Sequence, residues 1–358
     1  MKVLLAGTAG GAGWPAPGCG CASCARPPSA RRRPFRLLVD GAVPFPFADV
    51  PRGYRAHGGG LGITGPDGTA LLCVPPGLDV PTDGPDRYDL VLIDLLDHPE
   101  RLGALRRAGA ADAATLVVAI GLDHRIRSEE ELDRRLGLWG ARSVPDGTVL
   151  HTGPALPGGT SPGAGSPAIG AAVGGVPGQG CGRGRAVVRR ALLLGGSRSG
   201  KSAEAELRLA AEPYVTYVAT GPTGAGDGEW AARVRAHRAR RPPHWDTVET
   251  ADLAGAVATA TAPLLIDGLG TWLAAVFDEH GAWDGDRAPV AAACDELVAA
   301  WRQAPQPVVA VSDEVGMGVV PATSSGRAFR DALGRLNERL AAESEYVALV
   351  VAGRPLEL

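Results

Sequence analysis

The residues best equipped for chemistry are "GGSRSGKS" (195–202). Gly195, Gly196, Ser197, Arg198, Ser199, Gly200, Lys201 and Ser202 fit the pattern G-x-x-x-x-G-K-S. The glycines let the backbone curl until successive N–H groups point inward as an anion nest. A helix beginning near Lys201 adds the positive end of its dipole. The Lys201 ammonium suits β and γ phosphate oxygens, and the Ser202 hydroxyl suits Mg²⁺. The chemistry is the handling of a nucleoside triphosphate, ATP or GTP. Flanking residues agree, since the apolar "AVVRRALLLGG" reads as a strand before the loop and the alanine-rich "SAEAELRLAAE" as a helix after it.

An acid for the same ion is Asp267, which closes the apolar run "PLLID". Phosphate-loop enzymes place their Mg²⁺ carboxylate at such a strand end. A second constellation is "DGEWAARVRAHRARRPPHWDTVET" (227–250). Residues 229–241 read as a helix stopped by Pro242 and Pro243. On it His237 is crowded by Arg233, Arg235, Arg238, Arg240 and Arg241. Like charges disfavour the imidazolium, and a neutral ring keeps a lone pair for nucleophilic attack. The guanidiniums would hold phosphates. Taken alone, the segment reads more readily as a solvated basic helix with an incidental histidine.

The elements that must position these groups alternate along the chain. Strands are expected at 214–220, 262–270, 307–312 and 346–353, and helices at 229–241, 286–303 and 326–344. Such alternation implies an α/β domain, with a mostly parallel sheet and helices on both faces. "DEVGMGVVP" (313–321) reads as a loop leaving a strand end, where open α/β sheets place ligands. Glu314 there either orients substrate or metal, or only shapes its loop.

The stretches "GGSRSGKS", "YVATGP", "RVRAHRARRPPHWDTVE", "LLIDGLGTWLA" and "VSDEVGMGVVPATSSGRAFRDALGRLNERLAAESEYVALVVAGRPLEL" resemble, in order, the bifunctional adenosylcobinamide kinase/adenosylcobinamide-phosphate guanylyltransferase family of cobalamin biosynthesis. The resemblance covers 188–358. It implies a P-loop fold and two reactions in one domain. ATP or GTP phosphorylates the aminopropanol hydroxyl of adenosylcobinamide. GTP then gives GMP to that phosphate through a guanylylated histidine, which matches His237, and pyrophosphate leaves. Further implications are nucleotide contacts from Arg238, Arg241 and Glu249, a trimer, and a bulky substrate partly held by a neighbouring subunit. After "YVATGP" the chain departs slightly: Asp227 and Glu229 keep the family's acids, while Trp230 stands where a methionine is usual.

Residues 1–151 offer different groups. Cys19, Cys21 and Cys24 form C-x-C-x-x-C, three-quarters of a tetrahedral zinc site. His124 is the expected fourth ligand and His151 the runner-up. Gly7, Thr8, Gly10, Pro15, Gly18 and the three cysteines resemble the opening of the phosphodiesterase-like branch of the metallo-β-lactamase superfamily, which implies a structural zinc. The superfamily signature H-x-H-x-D-H is absent. "IDLLDHPERLGALRR" (93–107), with His98, comes nearest. A dinuclear hydrolytic site needs several histidines around its metals, and only His57, His98, His124 and His151 stand here. The expectation is an α+β, metallo-β-lactamase-like domain without hydrolase activity.

Between the two, 152–185 is glycine-, proline-, alanine- and serine-rich, nearly uncharged and without period. Such composition cannot offset its ordering entropy, so a flexible linker is expected. Domains at 1–151 and 186–358 follow, consistent with 358 residues. The net charge of -3 gives no global field for nucleic acid or an anionic membrane. No run is long and apolar enough for a membrane helix, and the glycine-broken N-terminus does not read as a signal peptide. A cytoplasmic protein is expected, its cysteines thiols or metal ligands. A competing reading, a zinc-dependent hydrolase fused to a regulatory NTP-binding module, suffers from the missing histidines. An NTP-binding assembly protein without transfer chemistry is a third.

Overall fold

The apolar run ahead of the glycines forms a six-residue strand, Arg190–Gly195, at the heart of a parallel sheet. Its residues alternate between two cores: Leu192 and Leu194 face one, Ala191 and Leu193 the other. The computed structural model describes residues 1–26, 28–152, 188–220 and 241–358. The chain divides into two units, Met1–Cys181 and Gly182–Leu358. Of the expected linker at 152–185, all but Thr152 lies outside the described residues. Thr152 belongs to the first unit, its amide donating to the Met1 carbonyl at 2.9 Å.

In the first unit the described strands are β1 (Lys2–Gly7), β2 (Arg36–Val39), β3 (Val43–Pro44), β4 (Arg55–His57), β5 (Gly62–Thr64), β6 (Ala70–Val74), β7 (Leu90–Ile93), β8 (Leu116–Ala119) and β9 (Thr148–His151). They build an antiparallel sheet in the order β3-β2-β1-β9 and a mixed sheet in the order β4-β5-β6-β7-β8. Val3, Leu5, Leu37 and Val39 of one sheet share a core with Ile63, Leu71, Leu90 and Leu92 of the other. Period-two burial on facing sheets explains this packing. Helices α1 (Ala22–Ala25), α2 (Glu100–Arg107) and α3 (Glu129–Leu138) complete an α+β unit.

The second unit continues with β10 (Arg190–Gly195), α4 (Lys201–Leu209), β11 (Thr216–Ala219), β12 (Asp246–Glu249), α5 (Leu253–Ala258), β13 (Leu264–Asp267), α6 (Leu269–Glu279), α7 (Ala288–Arg302), β14 (Val308–Asp313), α8 (Ser324–Ala342), β15 (Tyr346–Val351) and β16 (Arg354–Glu357). The sheet runs β12-β11-β13-β14-β10-β15-β16, parallel except for the β15–β16 hairpin. Ala205 and Leu209 of α4 cover one face, while Leu253, Trp272, Leu297 and Leu333 of α5–α8 cover the other. This is the doubly covered α/β sheet expected, with two local corrections. The expected strand at 262–270 stops at Asp267, because "LGTW" already turns into α6. Four elements were not anticipated: β12, whose residues are all exposed, the short α5, the helix α6 and the terminal hairpin strand β16. The expected helix at 229–241 falls outside the described residues except Arg241, which is in a bend.

Candidate nucleotide and metal sites

The loop between β10 and α4 is held by tight backbone contacts. Gly200 caps α4 at φ +96°, a left-handed conformation that glycine adopts without steric cost. A Cβ there would meet Gly353 Cα at 3.0 Å. The Gly353 amide donates to the Ser199 carbonyl at 2.7 Å, so the hairpin turn braces the loop. Lys201 Nζ lies 2.9 Å from Asp313 Oδ1 and donates to the Gly196 carbonyl at 3.1 Å. Asp313 closes β14 directly opposite Gly195. Buried Asn337 of α8 fixes that strand end, accepting from Ser312 Oγ at 2.6 Å and donating to the Asp313 carbonyl at 3.1 Å.

Across the same strand ends, Asp267 accepts from Ser202 Oγ at 3.1 Å on Oδ1 and from the Tyr217 hydroxyl at 2.6 Å on Oδ2. A hydroxyl and a carboxylate at the first turn of α4 are hard oxygen donors, and they fit Mg²⁺. Burial raises the Tyr217 pKa, the Asp267 charge raises it further, and the phenol remains a proton donor. The Arg241 guanidinium stacks on the Tyr217 ring, 3.3 Å from its centroid.

Gly195, Asp267 and Asp313 therefore meet at the carboxyl edge of the sheet, where the sequence expected ligands. Glu249 closes β12 at the same edge, paired through Ala219 of β11. Glu314 turns inward on its own loop: its carboxylate accepts from the Gly316 amide at 2.7 Å, and its amide donates to the Gly195 carbonyl at 3.2 Å. His237, Arg238, Arg233, Arg235, Arg240, Asp227, Glu229 and Trp230 lie at 221–240, outside the described residues. Sequence reasoning missed Asp313 and Tyr217. The signal that marked Asp267, an acid closing an apolar strand, also marks Asp313 after "PVVAVS". Nothing in the one-dimensional pattern separates Tyr217 from an ordinary strand aromatic.

In the first unit, ligand atoms of Cys19, Cys21, Cys24 and His124 all lie within 4.8 Å of one another. His124 Nδ1 is 3.2 Å from Cys19 Sγ and 3.6 Å from Cys24 Sγ. Buried Ser23 of α1 docks this segment on the His124 loop, donating to the Ile126 carbonyl at 2.6 Å and accepting from Trp14 Nε1 at 3.1 Å. The Cys24 amide, donating to Cys21 Sγ, brings the Cys21 thiol down to about 7. Three sulfurs and an imidazole fit a tetrahedral zinc. His151, the runner-up, ends β9 opposite Lys2 and is not in the cluster. His98 pairs with Glu100 at 2.9 Å. Arg125 spans Asp94, Asp97 and Asp123 at 3.0, 2.8 and 2.8 Å, and donates to the Gly121 carbonyl.

No helix among the described residues is long and apolar enough to cross a membrane.

A parallel sheet whose central strand runs through a glycine loop into a Lys-Ser helix start defines a P-loop nucleotide-binding unit. Residues 191–358 match the model of the family described as cobinamide kinase/cobinamide phosphate guanyltransferase. The chain is 40% identical over 177 residues to the bifunctional adenosylcobalamin biosynthesis protein CobU of Salmonella typhimurium, covering 45% of this chain and 95% of that protein. It is 41% identical over 177 residues to CobP of Pseudomonas aeruginosa, covering 47% of this chain and 96% of that protein. It is 37% identical to CobU of Escherichia coli over the same length, again 95% of that protein. The chain belongs to the cobinamide kinase/cobinamide phosphate guanyltransferase family.

Proposed function

We propose that the second unit phosphorylates adenosylcobinamide with ATP or GTP and then transfers GMP from GTP to the product, in cobalamin biosynthesis. The observation that carries this is the joining of Ser202, Asp267 and Lys201 at one sheet edge inside a chain of this family. Backbone N–H groups of 195–202 would cradle the phosphates, and the Lys201 ammonium would neutralise their outer oxygens. Ser202 and Asp267 would hold Mg²⁺, which supplies positive charge against the phosphate oxygens when bound. In the second reaction His237 attacks the α-phosphorus of GTP. A P–N bond forms, the bond to the β-phosphate bridging oxygen breaks, and pyrophosphate leaves. A phosphate oxygen of adenosylcobinamide phosphate then attacks the same phosphorus, and the P–N bond breaks. Arg238 and Arg241 would hold phosphate charge, and Glu249 would line the nucleotide site. The homotrimer implied by the resemblance belongs to the same proposal.

The domains at 1–151 and 186–358, with a linker between, are part of this reading. In the first, we infer a structural zinc on Cys19, Cys21, Cys24 and His124. A metallo-β-lactamase-like shell without hydrolysis is favoured by Arg125, whose guanidinium occupies the carboxylates Asp94, Asp97 and Asp123 beside the only stretch near the superfamily signature.

Incubation with α-labelled GTP and Mg²⁺ tests the transfer. The expected result is acid-labile, base-stable label on the chain, absent from His237→Ala. A chain that never takes up label under any metal or pH condition overturns the reading.

A further inference from the structure

Tyr217 lies on β11 beside Asp267. It is 3% exposed, yet its hydroxyl reaches the one carboxylate that also touches Ser202. Its ring carries Arg241, which lies four positions beyond His237. We infer that Tyr217 is a positioning residue that orients Asp267 for the metal and seats Arg241. This rests on the kinase and guanylyltransferase reading above and adds a residue to it.

Two physical facts carry the inference. First, the two oxygens of Asp267 are divided between two donors: Oδ1 faces Ser202 and Oδ2 accepts from Tyr217. A carboxylate held on one oxygen cannot swing, so the other stays directed at the Ser202 side. Hydrogen-bonded partners behind a metal ligand set its orientation in this way. Second, a guanidinium at 3.3 Å over an aromatic centroid is a cation–π contact, and the planar stack fixes the plane of the fork. The Arg241 side chain otherwise touches Thr247 Oγ1 only at 3.4 Å, so the ring is its main support among the described contacts. Pro242 and Pro243 follow at once and stiffen the chain there.

The test compares wild type with Tyr217→Phe, which keeps the ring and removes the hydroxyl. Mn²⁺ binding to the GTP-loaded protein, read by electron paramagnetic resonance, is expected to weaken about tenfold. The Mg²⁺ concentration for half-maximal kinase activity should rise by a similar factor, while the KM for adenosylcobinamide holds. His237 labelling at saturating Mg²⁺ should survive in Tyr217→Phe, where the stack remains, and fall in Tyr217→Leu, where it does not. Metal affinity and Mg²⁺ dependence equal to wild type overturn the inference. Should Tyr217→Phe fail to fold, 3-fluorotyrosine at position 217 replaces it. Its ¹⁹F resonance is expected to move when Mg²⁺ joins the GTP-loaded protein, and an unmoved resonance overturns the inference. Wild type that neither phosphorylates adenosylcobinamide nor takes up label sinks the underlying reading instead, and the metal titration remains readable.

Discussion

Lys201 Nζ and Asp313 Oδ1 are 2.9 Å apart, so the ammonium proposed to meet phosphate is held by a carboxylate of the neighbouring strand. Asp313 is about half exposed, so the pair is worth at most about 1 kcal/mol. Triphosphate oxygens must displace that partner. Asp313→Asn should lower the KM for nucleotide by roughly threefold to fivefold, the fold-change for such an energy. Lys201→Ala should cost roughly a hundredfold or more in kinase kcat, as for loss of one transition-state donor. Steady-state kinetics with ATP and GTP checks both. A higher nucleotide KM in Asp313→Asn would assign the carboxylate a positive part in binding.

Gly200 combines φ +96° with a neighbouring backbone atom only 3.0 Å from any added Cβ. Gly200→Ala is expected to destabilise the second unit by about 1–3 kcal/mol, the usual cost of such a backbone conformation. Nucleotide binding should fall with it. Urea unfolding in the presence and absence of GTP measures both, and unchanged midpoints would contradict the steric account.

Metal analysis of the purified chain should find one zinc, lost from Cys21→Ser. Three thiolates and His124 within 4.8 Å leave little room for another arrangement. Full retention of zinc in that variant would remove the site. Kinase activity should be unaffected, because none of these ligands is in the second unit.

Glu131 is bound by Arg134 and Arg135 at 2.8 and 2.7 Å, with Arg127 at 3.2 Å. Burial pushes its carboxyl up, but the guanidiniums win and hold it at about 2. A folded pKa below the unfolded value stabilises above about 4.3 and loses that contribution as pH falls towards 2. Glu131→Gln should therefore be less stable than wild type at pH 7 by about 2 kcal/mol. The gap should narrow by pH 3. Denaturant midpoints at both values decide it, and an equal gap at both would mean the charge is not the cause.

Local sequence signals marked the glycine loop and Asp267 because the one is contiguous and the other sits at a strand end. Lys201, Ser202 and Asp267 were legible from "GGSRSGKS" and "PLLID", and their meeting follows from the parallel sheet. His124, whose ring lies beside the cysteines, was legible only as a histidine following a strand, 100 residues from Cys24. The short α5 and the exposed β12 were not legible. Neither has the length or apolar period that marks a buried element. The Tyr217–Asp267 contact was missed for another reason: it arises from strand β13 arriving beside β11, a long-range fact that no window on the sequence contains.

The Gly353–Ser199 contact has a practical corollary. Residues 346–358 are a strut under the phosphate loop, not an appendage. Trimming the chain back to Val351 would remove the Gly353 brace from the loop that follows β10. Loss of activity in such a preparation would report on the engineering of the chain rather than on its chemistry.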